Sequence, residues 1–392
     1  LSHRDHFVLG IMSGSSLDGL DFAVCRFRLA ESEDFALAEW EIMAAETDPF
    51  PPTWEARLRS APALPGRELW RLHADFGRWI GRRAADYLGR HPSLRPSLVG
   101  SHGHTIFHEP DRGFTTQIGD GAFIARALGL TTVSEFRSGD LAVGGQGAPL
   151  APIADKYLFP QYDGFLNLGG IANLSIKTAE GEYLAGDISG CCQILDRLAA
   201  REGLAYDDGG RLSAGGSIAP AFAPKLEALP FHNLPYPKSL GNTWVREALW
   251  PIVNDKEIAT ADCLYSFTVW LSEKIGKDFK QLGEIREVAS SRLQVDRLQV
   301  AAATEANDEP SKILITGGGA RNTFLVNQLR ATQNSENPRF NFLTTDPVTG
   351  DFKEAALMAI CALLRAQGQP NALASATGAT QNNINGALYL AS

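Results

Sequence analysis

The chain has 392 residues, 44% hydrophobic and 21% charged, enough to bury a sizeable core and, by length, to favour two or three domains. Thirty-six basic residues against 45 acidic ones leave a net charge of −9. That balance argues against nucleic acid, whose phosphates demand a basic face. No run approaches the roughly 20 consecutive apolar residues of a membrane span, and the opening LSHRDHFVLG lacks a signal-peptide pattern. The five cysteines, Cys25, Cys191, Cys192, Cys263 and Cys361, include no CxxC pair, so a reduced, cytoplasmic setting is expected.

In chain order, residues 7–27 predict a β-hairpin: apolar Phe7 to Ile11, a Gly/Ser/Asp turn, then apolar Phe22 to Phe27. A helix follows over 67–90, with Leu69, Leu72, Phe76, Ile80, Ala84 and Leu88 on one stripe. Residues 94–110 read as a short strand running into a polar loop. Residues 164–187 predict a second hairpin turning at Gly169 and Gly170, then a further strand ending at Asp187, with a helix over 191–200. The stretch 277–310 is charged and weakly patterned, an insertion or surface helix. Residues 311–329 give strand, triple-glycine turn and helix. A last helix spans 351–366, with Asp351 as its N-cap and Gly368 with Pro370 closing it. The tail after it carries no clear signal.

The two strand, glycine turn, strand units lie about 159 residues apart, from Gly10 to Gly169. That is too far for a solenoid and natural for two similar domains, so the expectation is a duplicated α/β architecture. Glycine turns follow apolar strands at Gly14 to Gly19, Gly144 to Gly147, Gly169 to Gly170 and Gly317 to Gly319. Such turns aim backbone N–H groups into one concavity and let phosphate oxygens approach. Each alone is equally a plain hairpin connector; two symmetric hairpins with a strand–GGG–helix unit favour phosphate binding. Ser13, Ser15 and Ser16 add hydroxyls to the first turn, and Asp18 and Asp21 are placed to hold Mg²⁺ through water. GxxxxGK[ST] is absent and no GxGxxG opens a strand–helix unit, so neither a P-loop nor a Rossmann site is indicated.

Asp187, at a strand's carboxyl end beside a helix start, is the candidate base. Capping of that helix is the competing reading, and spacing leaves both open. Glu354, in the first turn of the 351–366 helix, is open to a plain dipole role. His102, His104 and His108 suggest a metal cluster, but no third ligand shares their side and no HExxH helix exists, so a polar substrate loop is favoured over zinc. No GxSxG elbow supports Ser-His-Asp hydrolysis.

The segments GIMSGSSLDGLD, SHGHTIFHEP, TTQIGDGAFIA, VSEFRSGDLAVGGQGAPL, LNLGGIANL, LITGGGARN and DFKEA resemble, in order and over nearly the whole chain, the anhydro-N-acetylmuramic acid kinase family. The resemblance implies an actin-like (RNase H-like) duplicated ATPase fold, two domains around a nucleotide cleft, here 1–131 plus 373–392 and 132–372. It implies hydrolytic opening of a 1,6-anhydro sugar with transfer of the ATP γ-phosphate to O6, in cell-wall recycling. By motif, Gly14, Ser15, Ser16, Leu17, Asp18, Gly19, Leu20 and Asp21 would bind ATP phosphates, with Asp18 toward Mg²⁺. Asn167, Gly169, Gly170 and Asn173 would form the second loop, and Gly318, Gly319 and Asn322 would lie near the adenosine. Asp187 would activate water, while Glu354, His104, Thr105 and Arg137 would line the sugar site. A homodimer rests on resemblance alone.

The chain departs from the family pattern twice. Asp187-Ile-Ser-Gly-Cys-Cys-Gln stands where the family reads Asp-Thr-Gly-Pro-Gly-Asn, and His102-Gly-His-Thr where it reads His-Gly-Gln-Thr. Both bear on the sugar more than the nucleotide. The alternatives are a kinase for a related sugar and a non-catalytic ATP-binding actin-like regulatory module; Asp18, Asp187 and Glu354 favour chemistry, since fold alone decides neither.

Overall fold

The computed structural model describes residues 3–14, 17–31, 35–178, 181–236, 238–296, 309–333 and 339–391, with backbone alone for 284–296. The chain forms two compact units, residues 1–160 with 347–392, and 161–346. In chain order the strands of the first segment are β1 (His3–Ser13), β2 (Gly19–Ala30), β3 (Leu37–Pro49), β4 (Leu98–Ser101), β5 (His104–Glu109), β6 (Phe114–Ile118) and β7 (Thr131–Ser134). The second unit supplies β8 (Gly164–Leu168), β9 (Ile171–Lys177), β10 (Tyr183–Gly190), β11 (Ser311–Thr316) and β12 (Phe340–Thr344), and the chain returns to the first unit with β13 (Ala387–Tyr389).

The first unit's main sheet runs β13-β7-β4-β1-β2-β3 and the second unit's runs β10-β9-β8-β11-β12. In each, three consecutive strands pair antiparallel and two later ones join parallel to the first. Apart from the added edge strand β13, antiparallel to β7, both sheets follow one strand order, the duplicated actin-like topology expected. The expected division at 131/132 and 372/373 differs from the observed units. β7 pairs with β4, and the helix Pro347–Ala366 packs on β1, β2 and β4, so both belong with the first sheet.

The predicted hairpin over 7–27 is β1 and β2, with Phe7 opposite Arg26. β3 has no counterpart among the predicted elements, since LAEWEIMAAETDP mixes alanine and glutamate with few strong strand formers. The polar loop expected after β4 is instead the hairpin of β5 and β6. The predicted helix over 67–90 is Gly66–Arg90, burying Leu69, Leu72, Phe76, Ile80 and Ala84 as the stripe requires, with Trp79 and Tyr87 added. Phe76 and Trp79 of this helix stack on each other, and Phe50 and Trp54 pack against both at tilted angles.

The last predicted helix begins earlier, at Pro347, so Asp351 lies in the second turn and is no N-cap. Proline opens helices because its missing N–H is unneeded there. Gly368, at φ 67°, closes it as expected. The helix is alanine-rich and buried from Ala355 to Leu364 because it lies directly on the sheet. A Cβ on Gly10 would collide with the Ala355 carbonyl oxygen, and one on Gly100 with that of Met358.

In the second unit, the weakly patterned 277–310 stretch continues a helix spanning Thr260–Asp296, while 297–308 lies outside the described residues. Among the described residues, no helix is long and apolar enough to cross a membrane.

Candidate functional site

The turn between β1 and β2 opens with Gly14; Ser15 and Ser16 lie outside the described residues. Leu17 holds a left-handed backbone at φ 63°, and its N–H donates to the Gly14 carbonyl at 3.4 Å. Non-glycine residues seldom adopt that conformation, so Leu17 carries local strain. Asp18 is exposed, and its carbonyl accepts from the Phe50 N–H at 3.2 Å. Gly19 lies so close to the Asp48 carbonyl that no side chain fits. Leu20 is fully buried, so only its main chain can face a ligand. Asp21 accepts from the Thr47 hydroxyl. Burial raises its carboxyl above the usual range, Thr47 pulls it down, and Asp18 and Asp351 push it further up.

At the end of β1, the buried Ser13 hydroxyl and His104 Nδ1 share a 3.0 Å hydrogen bond. Burial holds His104 down at about 4, so it is neutral near pH 7. Thr105 Oγ1 accepts from Gln117 Nε2 at 3.3 Å. His102 Nδ1 lies 3.0 Å from the Gly103 carbonyl, which can only accept, so Nδ1 carries the hydrogen. Its Nε2 accepts from Arg137 Nε at 2.8 Å. Burial, then the Arg137 charge, push His102 down to about 3. Arg137 Nη1 also donates to the Gly147 carbonyl at 2.7 Å. Burial lowers Arg137 to about 10 while Glu354 supports its charge. Both ring nitrogens of His102 are thus engaged, and His108 is exposed with Nδ1 3.2 Å from the Thr115 hydroxyl. Among the described residues, no group of three or more His, Cys, Asp or Glu is placed to hold a metal ion.

Glu354 lies in the second turn of its helix, not the first, so the helix dipole explains little of it. Its side chain opens to solvent, yet the protein around it strips enough water to raise its carboxyl. Asp21 pushes in the same direction and Arg137 in the other. Asp21, Arg137 and Glu354 therefore form one electrostatic group.

In the second unit, Asn167 near the end of β8 stands opposite Asn173 near the start of β9. The Gly169 carbonyl accepts from the Cys192 N–H at 3.0 Å and that of Gly170 from Cys191 at 2.8 Å, tying the turn to the helix Cys192–Ala199. Gly317, at φ 84°, and Gly319 pack against Asn167 and Leu168 with no room for a Cβ. Gly318 borders open space. Asn322 caps the helix Thr323–Ala331, its Oδ1 accepting from the Leu325 N–H at 2.9 Å.

Asp187 sits on β10 opposite Asn173, with a bulge between it and Ser189. The strand continues to Gly190 instead of ending at Asp187, and the N-cap of the following helix is Cys191. The capping reading of Asp187 is thereby overturned: its Oδ2 accepts from the Leu240 N–H at 2.8 Å and the Ser239 hydroxyl at 3.2 Å. Among the described residues, no donor reaches Oδ1. Burial raises the Asp187 carboxyl, and the Leu240 and Ser239 bonds with the Lys238 charge oppose it. A partly buried carboxylate with raised proton affinity and one free oxygen is equipped as a base.

Sequence reasoning missed Ser239 and Leu240, and it did not pair His102 with Arg137. PYPKSLGN reads as a polar turn, and nothing local marks it as the partner of a strand residue 52 positions earlier.

The family model for anhydro-N-acetylmuramic acid kinase matches residues 6–391. The anhydro-N-acetylmuramic acid kinase of Synechococcus elongatus is 30% identical, over 95% of this chain and 96% of its own. That of Pseudomonas fluorescens is 31% identical over 97% and 98%, and that of Xanthomonas campestris pv. campestris 32% over 97% and 96%. With the duplicated topology and both glycine hairpins in place, the chain belongs to the anhydro-N-acetylmuramic acid kinase family and is an ATP-dependent sugar kinase.

Proposed function

We propose that this kinase opens the 1,6-anhydro ring of anhydro-N-acetylmuramic acid with water and phosphorylates O6, giving N-acetylmuramic acid 6-phosphate. The observation that carries the reading is Asp187, a carboxylate beside a bulge within β10, with raised proton affinity and no donor among the described residues on Oδ1. Asp187 takes a proton from water as its oxygen bonds to C1. The C1–O6 bond breaks, and O6 bonds to the γ-phosphorus as the bond to the ADP oxygen breaks. O6 then needs no separate acid, because the phosphoryl group captures it. Glu354, Arg137, His104 and Thr105 bind the sugar. Arg137, held by His102 and the Gly147 carbonyl, offers a fixed cation to polar sugar groups.

ATP is assigned to residues 14–21, to Asn167, Gly169, Gly170 and Asn173, and to Gly318, Gly319 and Asn322. Asp18 would help hold Mg²⁺, since its carboxylate is exposed and is the oxygen ligand type that this hard ion takes. Bound there, Mg²⁺ supplies charge neutralisation of the phosphates.

The test is ADP release from ATP, Mg²⁺ and anhydro-N-acetylmuramic acid, with Asp187→Asn alongside and the product identified by mass. Sugar-dependent turnover lost in the variant supports the reading. Turnover indifferent to this sugar points to a related acceptor, and bound ATP without turnover points to a regulatory module.

A further inference from the structure

We propose that Ser239 and the main-chain amide of Leu240 are a positioning strap that fixes Asp187 Oδ2 and leaves Oδ1 as the atom that takes the proton. The inference rests on the reading of Asp187 as the base. Both donors converge on one oxygen, at 3.2 and 2.8 Å, and so fix the plane of the carboxylate about its Cβ–Cγ bond. The main chain is pinned as well, since the Asp187 N–H donates to the Lys238 carbonyl at 2.8 Å. A carboxylate free to rotate would spend part of its time misaligned with water; one held by two donors is preorganised.

The strap is rooted on both sides of the strand it serves. A Cβ on Gly186 would meet Tyr236 Cδ1 at 2.7 Å and the Lys238 carbonyl at 2.8 Å, so Gly186 lets the segment lie flat against β10. Beyond Asp187, the Ser189 hydroxyl is 3.1 Å from His232 Nε2, and His232 Nδ1 is 2.7 Å from the Leu226 carbonyl. Lys238 is buried, its Nζ 4.7 Å from the Tyr236 ring centroid, 5.1 Å from that of Phe231, and 3.5 Å from the His232 carbonyl. Tyr236 donates to Asp278 Oδ2 at 2.9 Å, and Asp278 pairs with Lys274 on the helix Thr260–Asp296. Among the described residues, the titratable groups that act on Asp187 are Lys238 and Tyr236; His232, Lys274 and Asp278 face these two in turn, and β9 presents the neutral Asn173.

The design separates positioning from mere anchoring. Ser239 is exposed, so Ser239→Ala removes one bond to Asp187 with little else disturbed. A hydrogen bond to a carboxylate favours its charged form, so losing one raises its proton affinity. The expected result is a kcat about tenfold lower at neutral pH, sugar KM within about twofold, and an acid limb of kcat moved up by about 0.5–1 pH unit. Thermal stability should be unchanged and Ser239→Thr should restore kcat. If Asp187→Asn abolishes turnover while Ser239→Ala keeps the wild-type kcat and pH profile, the strap is refuted and the base stands. A Ser239→Ala loss of kcat with an unmoved acid limb, or matched by a lower Tm, likewise refutes positioning. Turnover surviving in Asp187→Asn overturns the base reading and the strap with it.

Discussion

Arg137 Nε donates to His102 Nε2 across 2.8 Å, and that contact sets the imidazole tautomer and the guanidinium plane together. Because Nη1 is occupied by the Gly147 carbonyl, the fork is fixed at two points. A lysine, with one compact ammonium, cannot reproduce both bonds. Arg137→Lys should lose about 1–3 kcal/mol of stability, since a buried acceptor on His102 is left unpaired. Sugar KM should rise at least tenfold if Arg137 binds the sugar. Thermal melts with steady-state kinetics check both, and an unchanged Tm would show the pairing to be dispensable.

Acid should destabilise the fold well above the usual carboxylate range. Burial holds His102 at about 3 and His104 and His232 at about 4, against about 6.5 in an unfolded chain. Above that value all three are neutral in both states and contribute no pH dependence. Below it the unfolded chain takes up protons that the native state refuses, so stability falls as pH drops from about 6.5 towards 4. Asp196, raised by burial to about 6, and the raised Asp21, Asp187 and Glu354 act in the opposite sense. The three histidines should prevail. Tm is expected to be several degrees lower at pH 5 than at pH 7, and a flat or rising Tm would contradict this.

Gly10→Ala should be among the most damaging single-methyl changes in the chain. The new Cβ meets the main chain of the helix Pro347–Ala366, which cannot yield without lifting off the sheet. A loss of about 3 kcal/mol or more is expected. Gly89→Ala is the control: it borders open space near the end of the helix Gly66–Arg90 and should stabilise by up to about 1 kcal/mol. Urea midpoints of the two variants should move in opposite directions.

The strand–GGG–helix unit allows folding and nucleotide contact to be separated. Asn322→Ala deletes an N-cap and should cost about 1 kcal/mol of stability. Gly318→Ala adds a methyl group to open space, so it should leave Tm unchanged while raising the KM for ATP several-fold. If the Gly318 variant binds ATP normally, that glycine does not approach the nucleotide.

Local pattern determined much of this protein. The apolar stripe of the helix Gly66–Arg90 and the two glycine hairpins, β1–β2 and β8–β9, follow from periodicity and turn chemistry that neighbours in sequence supply. The ordered motifs carried the family. What the sequence left open depended on partners remote along the chain. β3 owes its place to pairing with β2 and not to its own propensities, and Asp351 ceased to be a cap because Pro347 had already opened the helix. Asp187 could be read as a helix cap on spacing alone; its carboxylate instead accepts from Ser239 and Leu240, more than 50 residues later. Hydrogen bonds of that span leave no periodic mark on either segment. Only packing brings the two together, and only packing sets the dehydration and neighbouring charge on which their chemistry depends.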